Sequence, residues 1–528
     1  MTTKGKKPYS PITFTESFKN RFFGKYSKIQ DSLNSFTSWL NTDNHIKLLL
    51  LLLIIFQIYF SVTYLGNQSL RLDESQSLYV SGKETIRILN IIAEDVHVPL
   101  YLILLRGWQS IFQLTPLDVV QNRVFSLIFQ VISIPAFYQL CKSIFKKKEM
   151  AIFGSTLIAI SPMLFWYANE LRMYSLLLLI TIMSHITFFK FKANTSNIGA
   201  WFRYTFVALV GIYTHYFFNL VLLSQFIFAL IYKNKFKAKG IARLIQSYFL
   251  LGIALSPWLF FVISQGSASN TKPLLSAPTS IDVFNTLTNI FFGFQSDSIN
   301  TIIVSAWPII TIIGILLINF KRAANSTIRY YIISALLPIL MAFIVSVLYR
   351  PVFLSRYLII VVPSFYVLLI SFAYSLKGWL GYFFRVFIIL FMGIGLLLQT
   401  FNPATPVKEN YKEVSQYLNK NATSSDIVSL SAPFTIYPVQ YYYQSQADLV
   451  TIPEWELETI GTIPPFEESV FENKITEFSD KYDYIYIILS YDQGYEDKIK
   501  SYMDNNFALV EEKEFSNKLN LYKYRFRY

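Results

Sequence analysis

Long runs of apolar residues dominate the first 400 positions of the chain, and polar residues gather between them. Eleven of these runs approach the roughly 20 residues that an α-helix needs to cross a bilayer. They predict membrane spans at 46–65, 118–140, 150–167, 173–190, 202–216, 217–232, 243–263, 301–319, 329–348, 354–375 and 384–400. The pattern is typical of a multi-pass α-helical membrane protein.

The segment Pro99–Phe112 departs from this pattern, because Arg106 and Trp108 interrupt its apolar residues. Proline suits the first turn of a helix, where its missing N–H costs nothing. If this segment crossed the membrane, the cluster Lys146–Lys148 would lie outside, against the positive-inside rule. We therefore predict an amphipathic helix that lies in the membrane interface.

Beyond position 400 the pattern changes to amphipathic and alternating segments. ENYKEVSQYLNKN and YPVQYYYQ predict helices, DIVSLSA and YDYIYIILS predict strands, and FALVEEKEF with LNLYKYRF predicts an antiparallel pair. The predicted organisation is a basic cytoplasmic segment over 1–45, a transmembrane domain over 46–400 and a small extracytoplasmic α/β domain over 401–528.

Composition agrees with a membrane protein, since 53% of the 528 residues are hydrophobic and 15% are charged. The net charge of +13 is divided unevenly along the chain. Residues 1–400 hold 34 of the 46 Lys and Arg and 13 of the 33 acids, whereas residues 401–528 hold 12 and 20. A basic membrane body with an acidic tail indicates membrane lipids as partners and no nucleic acid.

The sequence offers few ligands for a metal or a disulfide. It has one cysteine and four scattered histidines, which excludes an internal disulfide framework and a zinc signature of known spacing. We predict no resident cofactor, and nothing in the sequence supports a divalent metal.

The basic loops predict the orientation of the chain. By the positive-inside rule the N-terminal segment and the loops 142–148, 233–243 and 321–329 are cytoplasmic. Eleven spans then place the C-terminal domain on the extracytoplasmic side of the plasma or inner membrane. Nine of the thirteen acids of the membrane part fall on that outer side, which predicts a polar site there.

Glu170 and Arg172 are unusual because they lie between two apolar runs, in SPMLFWYANELRMYSLLLL. Ionisable groups at the edge of the hydrocarbon are costly and usually functional. The conservative alternative is that Glu170 only pairs with Arg172 or Arg123.

Six segments in this order carry a family resemblance: LDESQSLY, EDVHVPLYLILLRGW, NRVFSLIF, SPMLFWYANELRMYSLLLL, YTHYF and SRYLIIVVPSF. The order resembles the polyprenyl-phosphate-sugar-dependent glycosyltransferases of the GT-C fold. More narrowly, it is similar to bacterial relatives of protein O-mannosyltransferases and of lipid A aminoarabinose transferase, in glycosyltransferase family 39. The resemblance covers roughly residues 45–375. Val98 stands where the family commonly has proline, and Asn169 and Leu171 stand where it has glutamine and alanine.

The resemblance implies transfer of a sugar from a polyprenyl-phosphate-sugar donor to a hydroxyl of a glycan, lipid or protein on the extracytoplasmic face. The attacking hydroxyl needs a base, and the resemblance assigns this role to Asp73, with Glu74 supporting it or binding acceptor. The alternative is that Asp73 caps a helix that starts near Glu74, a common role for aspartate.

The leaving group is an anion, and arginine suits phosphate because its planar fork donates two parallel hydrogen bonds. The candidates for phosphate binding are Arg123, Arg172, Arg356 and His97, and those for the sugar or acceptor pocket are Glu170, Tyr174 and His215. The alternatives are interfacial snorkelling for Arg356, a helix start for His97 and a satisfied bundle histidine for His215.

Two other classes of protein are alternatives to a transferase. A transporter or flippase places paired charges or helix breaks at mid-membrane, often in related halves. Here the charges gather at one face and no half-repeat is visible. A non-catalytic scaffold on the same fold is the third class, and the retained Asp73 speaks against it.

The predicted orientation can be tested with reporter fusions. A reporter fused after Tyr528 should report an extracytoplasmic position, and one fused at Lys147 a cytoplasmic position, because the basic loops lie inside and eleven spans separate the ends. An extracytoplasmic Lys147 would show that Pro99–Phe112 crosses the membrane.

Overall fold

The computed structural model describes residues 42–65, 68–94, 97–264, 277–305, 325–402, 409–455, 464–516 and 518–526. Within the described ranges, every regular element of the first 400 positions is helical, and besides the α-helices there is a short 3-10 helix at Tyr357–Val361. The helices are α1 (Asp43–Leu65), α2 (Leu72–Ser81), α3 (Thr85–Glu94), α4 (Leu100–Phe112), α5 (Val119–Phe145), α6 (Lys148–Ile160), α7 (Pro162–Ala168), α8 (Tyr174–Ala193), α9 (Ile198–Thr214), α10 (Phe218–Ile231), α11 (Lys233–Ser264), α12 (Ser280–Phe292), α13 (Asp297–Ser305), α14 (Ser326–Leu348), α15 (Val362–Ala373) and α16 (Gly378–Phe401).

Six of these helices are long and apolar enough to cross a membrane, and the bent pair α6–α7 makes up to seven among the described residues. The six are α1, α5, α8, α11, α14 and α16, and each coincides with a predicted span. Three further predicted spans, 202–216, 217–232 and 354–375, coincide with shorter helices. The predicted span 301–319 lies outside the described residues from position 306 onward. The total of eleven therefore stays a prediction.

The side chains of α1 divide between lipid and protein as expected for a helix in a bilayer. Leu51 and Tyr59 are exposed on the surface that faces lipid, while the polar Gln57 and Ser61 are buried. Gln57 donates a 3.0 Å hydrogen bond to Ser61, and Asn169 donates to the same hydroxyl at 3.4 Å. Polar groups turn inward because the hydrocarbon offers them no partner.

One pair of consecutive helices is sharply bent. Helices α6 and α7 meet at Ser161–Pro162 with a bend of 57°. Proline occupies the first turn of α7, and the Ser161 hydroxyl caps this helix by accepting from Leu164 N at 3.3 Å. The bend precedes the segment 169–173, which connects α7 to α8 and carries Glu170 and Arg172.

Short helices connect α1 to α5. The predicted interfacial segment forms α4, which has 13 residues and begins after Pro99. Gln109 of α4 donates a 3.0 Å hydrogen bond to Ser81 at the end of α2, so the two short helices are held together. The position of α4 relative to a membrane stays a prediction.

The last part of the chain is a small α/β domain, as predicted. Its elements are α17 (Tyr411–Asn421), β1 (Asp426–Ser431), α18 (Ile436–Gln440), β2 (Asp448–Thr451), α19 (Glu468–Lys481), β3 (Tyr484–Ser490), α20 (Glu496–Asn506), β4 (Ala508–Ser516) and β5 (Leu519–Arg525). The strand order is β2-β1-β3-β5-β4, with β2, β1 and β3 parallel and β4 and β5 antiparallel to their neighbours. Helices α19 and α20 pack on one face of the sheet and α17 and α18 on the other.

This domain docks on the start of α2. Tyr442 accepts a 3.0 Å hydrogen bond from Leu70 N, and Ser69 Oγ accepts one from Lys412 N at 3.2 Å. The rings of Tyr79 and Tyr437 also pack, with their centroids 5.2 Å apart. The α/β domain therefore covers the end of the helical body that carries Asp73.

Candidate active site

Helix α2 presents two adjacent carboxylates in its first turn. It begins at Leu72, with Arg71 as the residue that precedes it. Glu74 accepts a 3.3 Å hydrogen bond from Arg71 N and so takes the capping role. Asp73 is already inside the helix, so the alternative that it caps the helix start is wrong.

Arg123 of α5 is buried beneath this turn and uses all five of its N–H groups. Its Nε and Nη2 donate to the two carboxylate oxygens of Glu74, both at 2.9 Å. Its remaining N–H groups donate to the carbonyls of Leu65 (2.7 Å), Gln68 (3.0 Å) and Ser69 (2.9 Å). The side chains of Arg123 and Glu74 are 1% and 0% exposed.

These hydrogen bonds change the roles that the sequence predicted for Arg123 and Glu74. Arg123 has no N–H left for a phosphate, and Glu74 also accepts from Leu171 N at 3.0 Å. The pair joins α2, α5 and the segment before α8. We therefore leave Arg123 out of the proposed phosphate site and give Glu74 a supporting role only.

Asp73 points away from this pair, towards two other arginines. Arg356 Nη1 donates to Asp73 Oδ2 at 2.6 Å, and both side chains are about a quarter exposed, at 28% and 25%. Arg172 Nη1 donates to the backbone carbonyl of Asp73 at 3.3 Å, and Arg172 Nη2 lies 3.0 Å from His97 Nε2. Since arginine only donates, His97 Nε2 is the accepting nitrogen.

The charges around Asp73 set its protonation state. Burial acts to raise the pKa of its carboxyl, but the positive charges of Arg172, Arg356 and Arg71 outweigh burial and hold the pKa below its usual range. Asp73 is therefore ionised at neutral pH and can accept a proton.

The fork of Arg356 is only partly used. Within the described residues its Nε is buried and has no hydrogen-bond partner. Its guanidinium also lies 5.8 Å from the ring of Tyr357. Unlike Arg123, Arg356 keeps donors for a ligand.

Glu170 is fully buried on another side of Asp73. Its carboxylate lies 3.6 Å from Arg71 Nη1, and Arg71 Nε donates in turn to Glu409 of the α/β domain at 3.3 Å. The ion pair that the structure shows for Glu170 is with Arg71, whereas the sequence predicted Arg172 or Arg123.

Aromatic rings form a further wall near Arg356. Tyr174 and His215 are buried, and both face Tyr357 with ring centroids 6.5 and 4.9 Å away. His215 Nδ1 accepts from Phe217 N at 3.1 Å. Within the described residues, the hydroxyl of Tyr174 has no hydrogen-bond partner, and a hydroxyl-bearing ligand would supply one.

The structure thus brings all nine predicted residues into one connected region, and it adds four that the sequence reasoning missed. Arg71 precedes Asp73 by two positions, and Tyr357 follows Arg356 directly, so adjacency to a predicted residue was the available signal. Glu409, and Tyr491 whose hydroxyl donates to Glu409 at 2.5 Å, lie on a distant part of the chain, and no sequence signal marks them.

Among the described residues, no group of three or more His, Cys, Asp or Glu side chains is arranged to hold a metal ion.

The supporting role of Glu74 predicts a stability effect. Glu74→Gln keeps the shape but leaves the charge of Arg123 buried without its counter-ion, which costs about 3–5 kcal/mol. The melting temperature of the purified protein should fall clearly. Glu84→Gln, at an exposed glutamate just after α2, is the matched control. Normal melting with lost turnover in Glu74→Gln would instead assign this residue to the chemistry.

Comparison with known proteins identifies the fold. No protein-family model matches the sequence, and no curated protein matches it. The structure is similar to the crystal structure of ArnT from Cupriavidus metallidurans in the apo state, with a TM-score of 0.58 and 11% identity over 90% of this chain and 97% of that chain. The structure of ArnT bound to undecaprenyl phosphate gives a TM-score of 0.53 and 10% identity over 90% and 98%. The likeness confirms the predicted GT-C fold.

Proposed function

We propose that this protein is a membrane glycosyltransferase that moves a sugar from a polyprenyl-phosphate donor to an acceptor hydroxyl. The observation that carries the proposal is the arrangement of Asp73, Arg356 and Arg172 at the end of the helical body. One ionised carboxylate beside two arginines supplies a base for the hydroxyl and cations for a leaving phosphate.

The reaction is a single displacement at the anomeric carbon. The acceptor oxygen forms a bond to this carbon while the bond from carbon to the phosphate oxygen breaks. The electron pair of that bond goes to polyprenyl phosphate, and the acceptor proton goes to Asp73. The product is a glycoside, and the second product is the free lipid phosphate.

Arg356 and Arg172 are the proposed phosphate ligands. The Nε of Arg356 is available, and the Nη1 that holds Asp73 becomes available when the carboxylate is displaced by an anion. His97 accepts from Arg172 and so fixes the plane of that guanidinium for the donor. ArnT, which has the same fold, binds undecaprenyl phosphate, and we extend this lipid class to the donor of this chain.

Tyr174, His215 and Tyr357 are proposed to line the pocket for the transferred sugar. Aromatic faces pack on the C–H groups of a sugar ring, and the unpartnered Tyr174 hydroxyl can bind one of its hydroxyls. Glu170, beside Arg71, is proposed to lie on the acceptor side of the same pocket.

We further propose that the site faces the extracytoplasmic side, since the positive-inside rule places the basic loops at the opposite end of the spans. The donor then reaches the site within the lipid layer, and the α/β domain meets the acceptor from the aqueous side.

The function is tested directly with the purified protein and a panel of radiolabelled polyprenyl-phosphate sugars. Release of free polyprenyl phosphate from one or more members is expected. If no member of a panel that covers hexoses, pentoses and aminosugars is cleaved, with or without acceptors, the transferase proposal fails.

Asp73→Asn tests the base. Asparagine keeps the shape but cannot accept the proton, and a positioned base contributes ~10²–10⁴ in rate, so turnover should fall by that order. Donor binding should persist because Arg356 and Arg172 remain. Turnover, affinity for polyprenyl phosphate and melting temperature are measured together. Near-normal turnover in folded Asp73→Asn would remove Asp73 from the chemistry.

The pH dependence follows from the depressed pKa of Asp73. In the free protein the arginines hold this pKa below its usual range, so the carboxylate is lost only well into the acid region. An anionic phosphate on Arg356 and Arg172 cancels part of this attraction and raises the pKa in the complex. The acid limb of kcat, which reports the complex, should therefore lie at higher pH than that of kcat/KM. Coincident limbs would mean that the donor phosphate binds away from these arginines.

A further inference from the structure

Four polar residues line the contact between the helical body and the α/β domain, next to Asp73. Arg71 and Glu170 belong to the body, whereas Glu409 and Tyr491 belong to the α/β domain, and we call these four the seam. Arg71 lies 3.6 Å from Glu170 and 3.3 Å from Glu409, and the Tyr491 hydroxyl donates to Glu409 at 2.5 Å. The seam therefore adds polar contacts across the domain boundary.

Unlike the buried ion pair beneath it, the seam is partly accessible, because Arg71 and Glu409 reach solvent although Glu170 is fully buried. The side chains of Arg71 and Glu409 are 25% and 19% exposed, whereas those of Arg123 and Glu74 are 1% and 0% exposed. Within the described residues, Nε is the only nitrogen of the Arg71 guanidinium that donates a hydrogen bond. Its remaining N–H groups can donate to a ligand.

The charge balance of the seam is opposite to that of the proposed phosphate site. Arg356 pairs with the Asp73 carboxylate and Arg172 donates to the Asp73 backbone carbonyl, so two positive charges lie beside one negative charge. Arg71 lies between two carboxylates, Glu170 and Glu409, which leaves an excess of one negative charge. An anion is therefore favoured at the arginine pair and disfavoured at the seam.

Resting on the proposed function, we infer that the seam binds the acceptor and that the acceptor group presented to Asp73 is a hydroxyl of an uncharged sugar. Neighbouring sugar hydroxyls both donate and accept hydrogen bonds. They fit a site in which the guanidinium donors of Arg71 lie next to carboxylate acceptors and the phenol of Tyr491. A phosphorylated acceptor would place a second anion against Glu170 and Glu409.

Acceptor preference tests this inference. The full-length protein, with the donor that the panel identifies, is given methyl glycosides of the common neutral hexoses, the same glycosides carrying a 6-phosphate, and a threonine peptide. Transfer to at least one neutral glycoside should exceed transfer to its 6-phosphate by about tenfold or more. Equal or better use of the phosphates, or a preference for the peptide, would overturn the inference.

A charge-removing variant separates binding from mere domain docking. Glu409→Gln should raise KM for the neutral glycoside about tenfold, because a charge-assisted hydrogen bond is lost. It should also lower the ratio of transfer to the neutral glycoside over transfer to its 6-phosphate. A purely structural role of Glu409 would not change this ratio. Glu413→Gln is the matched control, since Glu413 lies four residues away, is exposed and carries the same charge.

Tyr491→Phe provides a second variant, because it removes only the hydroxyl that donates to Glu409. A rise in acceptor KM in both variants, with unchanged affinity for polyprenyl phosphate alone, supports the seam as the acceptor site. Unchanged acceptor KM in both variants would overturn it. Failure of the wild type to cleave any donor is a different result, which removes the proposed function and this inference with it.

Discussion

The geometry of the candidate site depends on one buried ion pair, between Arg123 and Glu74. Removing two charges from water is costly, and it is tolerated only where all their hydrogen-bonding groups find partners. Arg123 meets this condition by binding the Glu74 carboxylate and three backbone carbonyls. One of these carbonyls, Leu65 O, ends α1 and has no partner within that helix. The arginine thus caps the end of one helix and holds the start of the next.

The pair also explains why two adjacent carboxylates have different roles. Consecutive residues of an α-helix point about 100° apart. When Glu74 is directed inward to Arg123, Asp73 is directed towards Arg356 and Arg172. The first carboxylate fixes the helix, and the second is left beside the arginines in a more exposed position. The rigidity of the first is what gives the second a defined position.

The positive and negative side chains around Asp73 are separated in space. Arg356 and Arg172 lie on one side, and Glu170 and Glu409 flank Arg71 on another. A displacement with an anionic leaving group needs positive charge where the leaving group departs and a carboxylate base where the hydroxyl nucleophile enters. The α/β domain contributes to this polarity, since Glu409 comes from the far side of the domain boundary.

The sequence by itself determined the membrane helices, the α/β tail and most of the residues grouped around Asp73. Hydrophobic length and periodicity are local properties, so the ends of α1, α5, α8, α11, α14 and α16 could be predicted to within six residues, except for the start of α11, which lies ten residues earlier than predicted. Ionisable residues at the ends of apolar runs are also visible locally. Short helices such as α9 and α10 were harder, because burial within a bundle and burial in lipid leave the same apolar pattern.

Only the tertiary structure decided which charge faces which. Arg123 and Arg356 look alike in sequence, each at the end of an apolar run, yet one is saturated by Glu74 and the other retains donors. Arg71 meets Glu409 across 338 positions of the chain. Such pairings depend on how helices and domains pack, and no local pattern encodes the partner of a charge. The sequence determined which chemical groups reach the site, and packing determined what each of them touches.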